Sequence, residues 1–86
     1  MNILVLGSGG REHTLAWKIS QSILCKRLFV APGNSGTSTI ATNIDIAVTD
    51  FEAIKRTVLE NQIEMVVVGP EDPLVLGIHD YFFVFV

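Results

Sequence analysis

Cys25 is the only cysteine in the 86 residues, which excludes an internal disulfide and leaves nothing that points to secretion. Basic residues are few. Six lysines and arginines stand against nine aspartates and glutamates, for a net charge of −3, and they form no stripe, so a nucleic-acid surface is not expected. No apolar run approaches the roughly 20 residues that a membrane-spanning helix needs; the longest runs only from Tyr81 to Val86. Met1-Asn2 brings no basic residue and the first apolar run stops at Gly7, so the amino terminus does not read as a signal peptide. Together these absences predict a soluble, cytoplasmic protein that meets neither membrane nor nucleic acid. What is present is apolar: 49% hydrophobic residues against 17% charged, far from a disordered composition. The length allows one small domain, which buries only roughly 60–65% of the surface its unfolded chain exposes.

Ile3-Leu4-Val5-Leu6 is apolar at every position, as in a parallel strand covered on both faces. A turn at Ser8-Gly9-Gly10 leads to a helix expected over residues 11–22, with Leu15, Ala16, Ile19 and Ile23 on one face. Residues 27–31 make a second strand, and Pro32 to Gly36 a loop. Ile44, Ile46 and Val48 alternate with Asp45 and Ala47, which predicts a third strand near an edge. Thr49-Asp50-Phe51-Glu52 reads as a capping box opening a helix to about Asn61, buried through Phe51, Ile54, Val58 and Leu59. Met65 to Val68 is a fourth buried strand, and Asp72-Pro73 suits the start of a third helix, to about Phe82. Strands alternating with helices predict an α/β fold: an open parallel sheet with helices on both faces, Rossmann-like and incomplete at the C-terminus. Residues 1–81 read as the domain. Residues 82–86 read as an apolar tail left by an interrupted helix or a truncation, with a short fifth strand as the alternative.

Gly7-Ser8-Gly9-Gly10-Arg11-Glu12-His13 stands where open α/β sheets bind ligands, beyond a strand's carboxyl end and at a helix start. The N–H groups of a first helical turn favour an anion, and Arg11 can add a charge-assisted contact to phosphate. A dinucleotide fingerprint fails, because Glu12 replaces its third glycine and Ala31-Pro32-Gly33 replaces the acidic residue expected after the second strand. A P-loop fails for lack of G-K-[ST]. A plain strand-to-helix turn explains the glycines but not the charged trio behind them. His13 alone reads equally as a packed or capping histidine.

In a doubly wound sheet the second and fourth strand ends converge on this turn. Asn34 can donate to and accept from sugar hydroxyls, and Glu71 can accept from two ribose hydroxyls. Asp72 is explained by helix capping. Lys18, Lys26, Lys55, Arg56 and Glu60 read as solvated surface, Trp17 as a packing residue and Cys25 as a small boundary residue. No zinc spacing, nucleophile elbow or catalytic triad is present.

Gly7-x-Gly9-Gly10-Arg11-Glu12-His13-x-Leu15-Ala16-Trp17, Ala31-Pro32-Gly33-Asn34-x-Gly36-Thr37 and Val68-Gly69-Pro70-Glu71-x-Pro73-Leu74, in this order and spacing, resemble the N-terminal domain of the phosphoribosylamine–glycine ligase family. The resemblance covers residues 1 to about 81. It implies a pre-ATP-grasp sheet and a ligase of de novo purine (IMP) synthesis. Such a ligase uses ATP with Mg²⁺ or Mn²⁺ to activate glycine as glycyl phosphate, which the amine of 5-phosphoribosylamine attacks to give glycinamide ribonucleotide. It implies further that Gly9, Gly10, Arg11, Glu12 and His13 form a phosphate-side loop and that Asn34, Gly69, Pro70 and Glu71 line the ribose side. ATP and metal would be held by ATP-grasp domains absent here, so the 86 residues would carry no catalytic or metal-binding residue and be inactive alone. A stand-alone phosphoribosyl- or nucleotide-binding module without catalysis is the alternative; a dinucleotide or nucleotide-sugar enzyme, and another ATP-grasp ligase or carboxylase, fit the motifs less well.

Overall fold

The central strand is the most apolar segment. In the computed structural model, which describes residues 1–7, 9–68 and the backbone of 84–85, β1 (Asn2–Gly7) is buried at all six positions. There follow α1 (Gly10–Ser20), β2 (Arg27–Pro32), a 3-10 turn (Thr37–Thr39), β3 (Thr42–Asn43), α2 (Phe51–Glu60), β4 (Met65–Val67) and β5 (Val84–Phe85). The strand order is β3-β2-β1-β4-β5, and every pairing is parallel. The expected open parallel α/β sheet is therefore present.

Alternate side chains of a strand leave opposite faces, and the register keeps equivalent residues level: Ile3 faces Leu28, Leu4 faces Phe29 and Val5 faces Val30. One face collects Ile3, Val5, Leu28, Val30 and Val67 under Ala16 of α1. The other collects Leu4, Leu6, Phe29, Ala31, Val66 and Val68 under Ile54 of α2. The helices thus cover opposite faces, which is why β1 tolerates no polar side chain between Ile3 and Leu6. Ile54 is fully buried, so its truncation to alanine would cost about 2–5 kcal/mol.

Several local expectations need correction. α1 stops at Ser20, and Ile23 is 99% exposed. Ser22 explains the early stop: its carbonyl accepts from the Cys25 N–H and its hydroxyl from the Leu24 N–H, offering the backbone an alternative to the helix. The N-cap of α2 is Asp50, whose carboxylate accepts from the Ala53 N–H at 3.1 Å; the cap expected at Thr49 lies one residue later, and with Ala53 at the third helical position the reciprocal half of the box does not form. Leu59 is 69% exposed, while Ala53 and Thr57 are buried. Five residues beyond Ile54, Leu59 lies about 140° round the helix and points away from the sheet.

The third strand lies earlier than the alternation suggested. Only Thr42 and Asn43 pair with β2, opposite Phe29 and Val30. The Ile44 N–H still reaches the Val30 carbonyl, but the Ile46 N–H turns back to the Ile44 carbonyl at 2.9 Å and bends the chain off the sheet. Ile44, Ile46 and Val48 nevertheless pack against the α2-side core, so the alternation marked their burial and not a ladder. Val84 and Phe85 form β5 beside β4, the fifth-strand alternative for the apolar end. The helix expected over 73–82, with its Asp72 cap, lies outside the described residues.

Candidate functional site

β1 lies between β2 and β4, so the chain reverses its direction of travel across the sheet at β1. Ligands of open α/β sheets bind outside the carboxyl ends of the strands at such a reversal. Gly7 pairs level with Pro32, and the Gly33 N–H donates to the Gly7 carbonyl at 3.1 Å. The two strand ends are thereby fastened together beneath the turn into α1.

Gly7 has φ 141°, a conformation side chains rarely adopt, and a Cβ there would collide with the Glu12 side chain. Glu12, in the first turn of α1, has folded back over Gly7. Gly9 is the N-cap; it offers no side chain to the first-turn N–H groups, and its carbonyl accepts from the His13 N–H at 3.1 Å. Gly9, Gly10 and Arg11 are exposed, whereas Glu12 and His13 are half-buried. His13 leans in another direction: a Cβ on Gly36 would lie 2.6 Å from its Cε1 and 2.8 Å from its Nδ1. The imidazole therefore packs on the loop after β2.

That loop carries Asn34, whose Oδ1 would lie 3.1 Å from the same Cβ on Gly36. The Asn34 Oδ1 accepts from the Thr37 N–H at 3.0 Å, and the Asn34 N–H donates to Thr37 Oγ1 at 2.8 Å. Thr37 is fully buried. Its hydroxyl donates to Asn43 Oδ1 at 2.7 Å, and Asn43 Nδ2 donates to the Asn34 carbonyl at 2.7 Å. Six of the nine expected site residues are thus described. Glu12, His13 and Asn34 gather around Gly7 and Gly36, with Gly9, Gly10 and Arg11 on the exposed turn beside them. Gly69, Pro70 and Glu71 follow β4 in sequence and lie outside the described residues.

Sequence reasoning did not foresee Asn43 as part of this neighbourhood. It gave Trp17 a packing role, but Trp17 is 46% exposed and lines a hollow of about 220 Å³ with His13 and Thr14. Cys25 is half-buried, as expected for a boundary residue; burial pushes its thiol pKa up, and the N-terminal ammonium pulls it partly back. Among the described residues no three His, Cys, Asp or Glu side chains cluster closely enough to hold a metal ion, and no helix is long and apolar enough to cross a membrane.

The family model for the phosphoribosylglycinamide synthetase N domain matches residues 1–85. The chain belongs to this family. It is 52% identical over 79 residues to a phosphoribosylamine–glycine ligase of Rhodopirellula baltica, covering 92% of this chain and 18% of that protein. Against the ligase of Haemophilus influenzae the identity is 50% over 84 residues, covering 95% of this chain and 20% of that protein. Against that of Halalkalibacterium halodurans it is 51% over 82 residues, covering 95% and 19%. The chain therefore spans about one fifth of the length of the curated relatives it matches. In this synthetase N domain the first turn of α1 links the end of β1 to the loop after β2, because it sends Glu12 onto Gly7 and His13 onto Gly36.

Proposed function

We propose that this synthetase N domain holds the phosphoribosyl substrate of a phosphoribosylamine–glycine ligase, the ATP-dependent enzyme that joins glycine to 5-phosphoribosylamine in purine synthesis. The observation that most supports this reading is the joining of the β1–α1 turn to the Asn34 loop through Glu12 and His13. Arg11 and the first-turn N–H groups of α1 take the phosphate, combining a guanidinium with the positive end of a helix. A carboxylate repels phosphate and accepts from hydroxyl or amine, so Glu12 receives a ribose hydroxyl or the substrate amine. His13 braces the Asn34 loop, and Asn34 with Gly69-Pro70-Glu71 completes the ribose side. The domain's part in the reaction is to bind and orient the ribosyl amine.

Glycine activation belongs to segments of the ligase outside this stretch, which bind ATP and Mg²⁺ or Mn²⁺. The 86 residues alone bind substrate or product without catalysing the ligation.

The reading is tested by titrating the ¹⁵N-labelled chain with glycinamide ribonucleotide. Amide shifts at Gly9–His13 and Asn34, abolished in Arg11→Ala, are expected. A charge-assisted hydrogen bond is worth about 1.5–3 kcal/mol, so Arg11→Ala should weaken binding at least tenfold. Absence of any shift at millimolar ligand, or shifts gathered instead around Glu52, Lys55 and Arg56, would overturn it.

A further inference from the structure

Asn34 is held by a small polar hub built on Thr37 and Asn43. Thr37, fully buried, accepts from the Asn34 N–H through Oγ1 and donates its N–H to the Asn34 side-chain oxygen. A hydroxyl has one proton to give. Both Asn43 Oδ1, at 2.7 Å, and the Asn34 carbonyl, at 3.0 Å, lie within its reach. The Asn34 carbonyl already receives Asn43 Nδ2 at 2.7 Å and the Ser38 N–H at 3.1 Å, so the Thr37 proton goes to Asn43. Position 43 must therefore accept with one atom and donate with the other, and a carboxamide does both. Asn43 itself is fixed by the sheet, since β3 pairs it opposite Val30. Gly33 lies directly over it: a Cβ there would come within 2.5 Å of Asn43 Cγ and 2.8 Å of Thr37 Oγ1.

We infer that Asn43, acting through Thr37, is the positioning residue of the ligand loop: it ties Asn34 and Gly36 to the sheet edge so that the Asn34 carboxamide meets the sugar in a fixed orientation. This inference rests on the phosphoribosyl-binding reading. Asn43 touches no ligand itself. It sets the backbone from which Asn34 acts and the surface on which His13 rests.

Asn43→Asp separates this role from mere space-filling, because it keeps the acceptor and the shape while placing a second acceptor against the Asn34 carbonyl. Thr37→Val and Thr37→Ser form the companion pair, the first removing the hydroxyl and the second keeping it. Two readouts are taken on each: hydrogen exchange at the Thr37 and Ser38 amides, and affinity for glycinamide ribonucleotide. With Asn43→Asp and Thr37→Val, exchange at those amides should quicken at least tenfold while β1 and β4 amides stay protected, and affinity should fall about tenfold. Thr37→Ser should restore both. Unchanged loop exchange in Asn43→Asp overturns the positioning role. Quickened exchange with unchanged affinity shows a loop staple without influence on the ligand and overturns it equally. A wild-type chain that ignores the ligand sinks the functional reading instead, and the exchange data then judge the staple alone. If Asn43→Asp does not fold, Asn43→Ala gives the same comparison without a buried carboxylate.

Discussion

Replacing Gly36 by alanine isolates the contact between α1 and the loop after β2. The backbone at Gly36 is right-handed helical, with φ −68° and ψ −44°, so the new methyl meets no backbone strain. Reduced freedom of the unfolded chain would by itself stabilise the protein by about 0.4–1 kcal/mol. The methyl, however, would stand 2.6 Å from His13 Cε1 and 3.1 Å from Asn34 Oδ1. Overpacking of this kind costs about 1–3 kcal/mol. The collision is the larger effect, and the net result should be a loss of about 1 kcal/mol, near 4–8 °C in melting temperature for a domain of this size. The decisive measurement is a double-mutant cycle by urea denaturation. With His13→Ala in place the collision is gone, and Gly36→Ala should become neutral or stabilising, a coupling of about 1 kcal/mol or more. Equal destabilisation by Gly36→Ala in both backgrounds would refute the packing of His13 on this loop.

Three further outcomes follow from the geometry. Gly7→Ala combines a disfavoured positive φ with a collision against Glu12, and should cost about 2 kcal/mol or more in denaturant titration; adding Glu12→Ala should recover part of that loss and leave the backbone part. Asp50→Ala should lower stability by about 1 kcal/mol through loss of the α2 cap, whereas Thr49→Ala should change it by less than about 0.5 kcal/mol; the reverse ranking would move the cap. The raised pKa of Cys25 leaves less thiolate at pH 8 than in a free cysteine peptide. Its reaction with a thiol reagent should therefore be slower there and keep rising with pH beyond the peptide's own plateau, and a rate equal to the peptide's at pH 8 contradicts the desolvation.

The parts of the fold legible in the sequence are those where one chemistry repeats. Four apolar residues from Ile3 to Leu6 could only be a strand covered on both faces, and Leu15, Ala16 and Ile19 share one helical stripe. β3 was misplaced because alternation reports which side chains are buried and says nothing of hydrogen bonding; the turn at Ile46 takes the chain off the ladder while its side chains stay inside. The cap of α2 was displaced because Thr49 and Asp50 are both good caps and only backbone geometry chooses between them. At the candidate site the sequence singled out the glycines and the Arg11-Glu12-His13 trio by position, as charged residues behind a glycine turn, and the structure packs Glu12 against Gly7 and His13 against Gly36. Asn43 was not singled out. A short polar side chain in an aperiodic stretch carries no signal of its partners, and its partnership with Thr37 exists only because β3 meets β2 at Val30.

The division of the core between the two sheet faces carries a consequence for the protein as it leaves the ribosome. Apart from Val67, the buried cluster beneath α1 is complete once β2 has emerged, since Ile3, Val5, Ala16, Leu28 and Val30 all precede residue 31. The opposite face has then exposed Leu4, Leu6, Phe29 and Ala31 and must wait for Ile54 and Val66. At roughly 5–20 residues per second, the translation of those intervening residues takes about 2–7 s. Throughout that interval the nascent chain is a half-covered sheet with one greasy side, the moment at which a chaperone, or another nascent chain, has most to grasp.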